Sequence, residues 1–260
     1  MTAQVNFAAD APRATRSGPP AAVRYFHTGA AVLLLVLMFL GFQQFYVHGR
    51  AYPGRELTPP IRTLLVLHGL GMTGWNLLFL VQPLLIVNRK HRVHRTLGMV
   101  GAALAAVVVV LGWKLGIEST RVAPPELRIW GLPAKQFMIV PNVSIAIFAA
   151  FVAAGVLTRK RPEAHRAMML LASLAAMPAA ISRIDFLSDL YLGTVWERLF
   201  GPFFMTLVVG AVFLVVKCAA ARKFDRWFAA GFAALVVASA LMVHFATSSA
   251  WDSFAGFLLS

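Results

Sequence analysis

His68, Trp75 and Gln82 recur at seven-residue intervals within LHGLGMTGWNLLFLVQPLL, residues 67–85, a stretch that is otherwise almost wholly apolar. Imidazole and amide groups exchange hydrogen bonds in both directions, an indole donates one, and an imidazole can also ligate a metal. Two further histidines, His94 and His165, each stand directly before an arginine at the opening of an apolar run. The seven histidines sort into two groups. His27, His91, His94 and His165 lie in or beside basic segments, whereas His48, His68 and His244 do not. One group per leaflet is the pattern a two-haem transmembrane electron carrier needs, because a b-type haem takes axial imidazoles from facing helices in a dry pocket. His94 with His165 is the candidate pair on one side, and His68 with His244 on the other. The plainer reading makes His94 and His165 interfacial residues, and His68 and Gln82 hydrogen-bonding groups between helices.

A second cluster combines fixed charges of both signs: Lys114, Arg183, Asp185, Asp189 and Glu197. Such groups at one depth could bind a polar ligand or relay a proton. Equally, they could anchor the ends of helices, with Lys114 reaching to the surface along its own stem.

These side chains need elements to hold them, and composition says which. Of 260 residues, 59% are hydrophobic and 13% charged, against about 45–50% and about 25% in soluble domains. Apolar runs of about 20 residues recur, each long enough to cross a hydrocarbon layer about 30 Å thick. Seven spans are predicted, near 26–47, 62–87, 97–117, 136–157, 165–184, 199–217 and 227–247. The fold class is therefore all-α, an integral membrane helical bundle. Residues 1–23 read as a disordered tail, 24–250 as one transmembrane domain and 251–260 as a short external tail.

Net charge is +14. In a soluble chain that would suggest nucleic acid; here no nucleic-acid partner is expected, since the basic residues fall in loops. Arg13, Arg16 and Arg24, then Arg89, Lys90, Arg92 and Arg95, then Arg159, Lys160, Arg161 and Arg166, then Lys217, Arg222, Lys223 and Arg226 alternate with apolar spans. The richer side is cytoplasmic, so the amino end is inside and, after seven spans, the carboxyl end outside. The lipid bilayer is the first partner; a membrane-protein partner or a second copy is compatible with the pattern.

In a helix, seven residues make nearly two turns. His68, Trp75 and Gln82 thus share one stripe with Met72 and Phe79, and that stripe should face the bundle, because polar groups in lipid are costly. RKHRVHRTLG at 89–98 is similar to RKRPEAHRAMM at 159–169. Spans two and three, and four and five, could be copies of one helical hairpin, although basic loops look alike without common origin. Pro141 and Pro178 interrupt spans four and five, where proline removes a backbone donor.

Several chemistries are excluded. The single cysteine, Cys218, permits no internal disulfide, and CxxC is absent, so neither c-type haem attachment nor a thiolate zinc site is possible. GxxxxGK[ST], HExxH and GxSxG are also absent.

The order HGxxMxxWxxxxxxQ at 68–82, HRTLG at 94–98 and HRAMMLLASLAAMPAAISR at 165–183 resembles a group of uncharacterised bacterial multi-span inner-membrane proteins across roughly residues 60–215. The resemblance implies a bacterial inner membrane and marks His68, Trp75, Gln82, His94, Arg95, His165, Arg166 and Arg183 as positions matching that pattern; it implies no activity. Two functional classes follow from the residues: a redox or membrane-enzyme component using His68, His94, His165, Trp75 and Gln82 toward haem b or a quinone, or a transporter or small-ligand receptor using Lys114, Arg183, Asp185 and Asp189. A structural or assembly role is the third.

Overall fold

The computed structural model describes residues 21–52 and 54–260. The reading of residues 1–23 as a tail falls outside these, except that 21–23 already belong to the first helix. Seven helices are long and apolar enough to cross a membrane: Ala21–Gly41, Arg62–Val87, His91–Arg121, Ala134–Leu157, Pro162–Ile181, Val195–Ala221 and Arg226–Phe245. They are spans one to seven below. The expected all-α bundle is the fold found. Among the described residues, strand is confined to two minimal hairpins, Arg50–Ala51 with Arg55–Glu56 and Arg128–Ile129 with Leu132–Pro133.

The outside of the bundle is built for hydrocarbon. Along span two, Leu67, Leu70, Leu77, Val81 and Leu84 are exposed at helical spacing, while Trp75, Asn76 and Phe79 are buried. Leucines outward and an asparagine inward invert the soluble arrangement. Water-free surroundings demand that backbone groups bond within each helix, which is why these runs form helices at all. Span five is the central post: Ala164, Ala167, Leu170, Leu171 and Leu174 are each 0% exposed.

Span boundaries depart from the sequence reading at four places. Span one ends at Gly41 rather than near 47, and there it meets span five so closely that a Cβ would overlap the Ala180 backbone. The chain resumes as a short helix, Gln43–His48, and stops at Gly49 in left-handed conformation (φ 62°). Span three is longer than its apolar core and carries His91–His94 within its first turns. Span five divides into Pro162–Ala175 and Pro178–Ile181, since Pro178 lacks the N–H that would continue the ladder. The last residues, expected as a short tail, form a helix, Ser249–Leu259. Ser248 caps it by accepting from the Trp251 N–H at 3.1 Å. The Trp251 indole donates to the Lys135 carbonyl at 3.2 Å, and Lys135 pairs with Asp252 at 2.8 Å.

The basic loops share one face. There Arg24 donates to the Val87 carbonyl at 3.1 Å, joining the start of span one to the end of span two. Asp225 caps span seven by accepting from the Phe228 N–H at 3.0 Å and pairs with Lys217 at 2.6 Å, both side chains only 15% exposed. Burial would raise the Asp225 carboxyl, but the Lys217 hydrogen bond and the Phe228 and Trp227 N–H groups outweigh it and hold the group below its ordinary value.

Candidate functional site: a histidine pair at the basic face

His94 and His165 are brought together from separate hairpins. The N-cap of span three is Lys90 and that of span five is Arg161, so each histidine is the fourth residue of its helix. Each closes the first helical bond in the same way: His94 N–H to the Lys90 carbonyl and His165 N–H to the Arg161 carbonyl, both at 3.0 Å. The two rings form a T-shaped contact with centroids 6.3 Å apart and planes at 89°. Among the described residues no other pair of histidine rings is in contact.

The second ring nitrogen of each is held. His165 Nδ1 lies 2.8 Å from the Gly155 carbonyl oxygen. A carbonyl only accepts, so Nδ1 carries the proton and Nε2 keeps its lone pair. On the other side, the Gln82 amide lies against His94 Nδ1. With its nitrogen toward His94 it donates to that Nδ1 and, at 3.3 Å, to the His94 carbonyl, while its oxygen accepts from the Gly98 N–H at 3.0 Å. Turned over, its oxygen would face the His94 carbonyl and its nitrogen the Gly98 N–H. The bonded arrangement therefore makes Nδ1 of His94 the acceptor and puts the ring proton on Nε2, which it must leave before that nitrogen can ligate.

Metal–imidazole bonds run to about 2.0 Å, and each nitrogen lies about 1.1 Å from its ring centre, so one iron between two imidazoles sets the centres about 6 Å apart. The observed separation fits that span. A second-shell partner on the far nitrogen is the usual companion of a ligating histidine. Among the described residues no group of three or more His, Cys, Asp or Glu could hold a metal ion; the donor set suits a two-imidazole haem rather than a tetrahedral metal site. His27 of span one borders the same region, within electrostatic reach of His165, Arg166, Lys217 and Asp225.

The rest of the His68 stripe is buried as expected but dispersed. Trp75, 3% exposed, donates from Nε1 to Ser173 Oγ at 3.2 Å and meets Phe148 edge-on, centroids 4.9 Å apart. His68 packs on span three at the opposite end. A Cβ on Gly112 would come within 2.8 Å of its Cε1. Its Nδ1 is buried without a partner, and no second histidine joins it. His244 is exposed near the end of span seven. Of the histidines proposed in pairs, His94 and His165 are in contact, while Trp75 and His68 pack between helices.

The outer charge cluster forms around a residue the sequence reading missed. Tyr52 donates to Asp185 Oδ1 at 2.7 Å, which together with burial raises its pKa above the ordinary value. Arg183 lies 4.9 Å from the Phe42 ring centre and 5.9 Å from that of Tyr52 and donates to the Ala179 carbonyl. Asp189 lies near enough to act on the same phenol. Lys114 does not join them: it is exposed on span three, whose neighbours are spans two and four. Tyr52 escaped notice because it lies 133 residues from Asp185, in a loop without periodicity. Buried Asn76 and Asn142, at 1% and 0% exposure, were also missed, though a lone amide in an apolar run is a usable signal.

No protein-family model, curated protein or solved structure matches this chain.

Proposed function

We propose that this chain is a bacterial inner-membrane protein that carries one b-type haem near its cytoplasmic face, between His94 and His165. A single observation carries the reading. Two imidazoles from different hairpins meet in a T-shaped contact with centres 6.3 Å apart, with His165 fixed by the Gly155 carbonyl in the tautomer that ligation by Nε2 needs.

The surroundings agree with the chemistry. Val93, Met99 and Val100 are 44%, 69% and 54% exposed beside His94, an apolar surface suited to a flat macrocycle. Arg95 and Arg166, each directly after its histidine, are exposed and supply cations for the acid groups of a haem. When bound, such a group would exchange single electrons, with His94 and His165 as the residues that would hold it. The chain's own residues fix ring orientation: the Gly155 carbonyl holds the His165 Nδ1 proton and the Gln82 amide engages His94 Nδ1. The inner-membrane placement rests on the resemblance of 68–82, 94–98 and 165–183, and on the basic loops that mark the cytoplasmic side.

The transporter reading has less support, because Tyr52, Arg183 and Asp185 are engaged with groups of the protein itself. Purification from haem-replete cells, followed by pyridine haemochrome assay, tests the proposal. One haem per chain is expected; colourless protein, or two haems per chain, contradicts it.

A further inference from the structure

A small, mainly apolar cavity with three hydroxyls among its walls lies far from the histidine pair, in the half of the bundle toward the opposite face. Ser144 of span four, Pro178 of span five, Phe203, Thr206 and Leu207 of span six and Ser239 of span seven are among its walls. The volume open to water centres is about 10 Å³, which is the room one water needs. Thr206 is 1% exposed, and both Thr206 Oγ1 and Ser144 Oγ are buried with no hydrogen-bond partner. Ser239, 1% exposed, donates to the Leu235 carbonyl at 2.8 Å, leaving its oxygen free to accept.

Two orphaned hydroxyls around one void need explanation, because a buried hydroxyl without a partner is costly. No charged side chain lines the cavity, so an ion placed there would be uncompensated. Pro178 adds a site where a span lacks its ladder donor, and ordered water commonly repairs such breaks in membrane helices. We infer that one buried water bridges Ser144, Thr206 and Ser239, tying spans four, six and seven together beside the Pro178 break.

X-ray hydroxyl-radical footprinting of the intact protein in lipid nanodiscs reads this directly, since radicals born from a trapped water modify the side chains touching it. Phe203, 2% exposed and lining the cavity, is compared with Phe148, 0% exposed and outside it. Phe203 should be modified at least several-fold faster than Phe148, and Thr206→Val, close in volume, should bring it down to the Phe148 rate. Equal rates for the two phenylalanines in the unaltered protein overturn the inference. Melting gives an independent sign. With a water in place, Thr206→Val and Ser144→Ala each leave it one partner short and lower the melting temperature by a few degrees. In a dry cavity the same changes remove an orphaned hydroxyl and raise it, which also overturns the inference.

Discussion

His94 and His165 occupy the same rung of two successive hairpins: each is the fourth residue after a basic N-cap, and the rings stand 6.3 Å apart with planes at 89°. One local rule, repeated, gives a pair. A helix opening with basic residue, three residues, then histidine places the imidazole in the first turn of its span. Packing span five against span four, and span three against span two, then turns both rings toward the same gap.

Gln82 should set the character of the His94 ligand without touching the metal. Its amide is the group facing His94 Nδ1, and were His94 to ligate through Nε2 the amide would have to turn and accept the Nδ1 proton, which raises ligand basicity. Gln82→Leu is expected to retain haem, shift its midpoint potential upward and weaken its retention about 10-fold or more. Redox titration of both forms decides; an unchanged potential removes Gln82 from the site.

His68 provides the contrast. It packs on Gly112 and Val108 with no histidine opposite, so His68→Leu should leave haem content and spectrum intact. Stability should change by no more than about 2 kcal/mol, because the packing lost with the imidazole is offset by removal of the buried unpartnered Nδ1. Loss of haem in this variant would return His68 to the ligand set.

Asp225 couples the basic face to acid. Its carboxyl, held below its ordinary 3.8 by Lys217 and two N–H groups against the pull of burial, lends stability that is complete above pH 3.8 and vanishes as pH falls through the lower folded value. Asp225→Asn keeps a capping oxygen but breaks the ion pair, and should cost about 2 kcal/mol at neutral pH. The loss should shrink on acidification below pH 3.8. Thermal melts at several pH values measure it; a pH-independent loss contradicts the ion-pair account.

Two phenols lie at the other face. Tyr52 is held above its ordinary 10.0 by donation to Asp185 and by burial, and Tyr191 is pushed up to about 12, mainly by burial. The folded state keeps these protons longer than the unfolded state. Their contribution is therefore full below pH 10 and disappears as pH rises through the folded values. In an ultraviolet phenolate titration, Tyr191→Phe should delete the component near pH 12, and Tyr52→Phe another that ionises above the ordinary value. Variants that titrate like the unaltered protein would refute the assignments.

The bundle was legible because lipid imposes a blunt rule: every run must be apolar for its whole length and helical throughout. The seven-residue stripe through His68, Trp75 and Gln82 was legible for the same reason, and all three turn inward. What spacing could not tell was which neighbours they meet. Gln82 and His68 share a stripe, yet they sit at opposite ends of span two and serve different surroundings. Partnering depends on how hairpins dock, and that is decided by contacts such as Gly41 on Ala180 and Gly112 under His68, which leave no period in the sequence. The helix at Ser249–Leu259 was missed because its eleven residues are too few to span and its anchors, Lys135 and Arg121, come from elsewhere in the chain.

The most direct measurement is the visible spectrum of the purified protein beside His94→Ala, His165→Ala and the double variant, each first shown to be folded by its melting transition. The account predicts a sharp Soret band with a low-spin spectrum in the unaltered protein, a weakened or high-spin spectrum in either single variant, and no band in the double. A Soret band that survives unchanged when both histidines are replaced would contradict it.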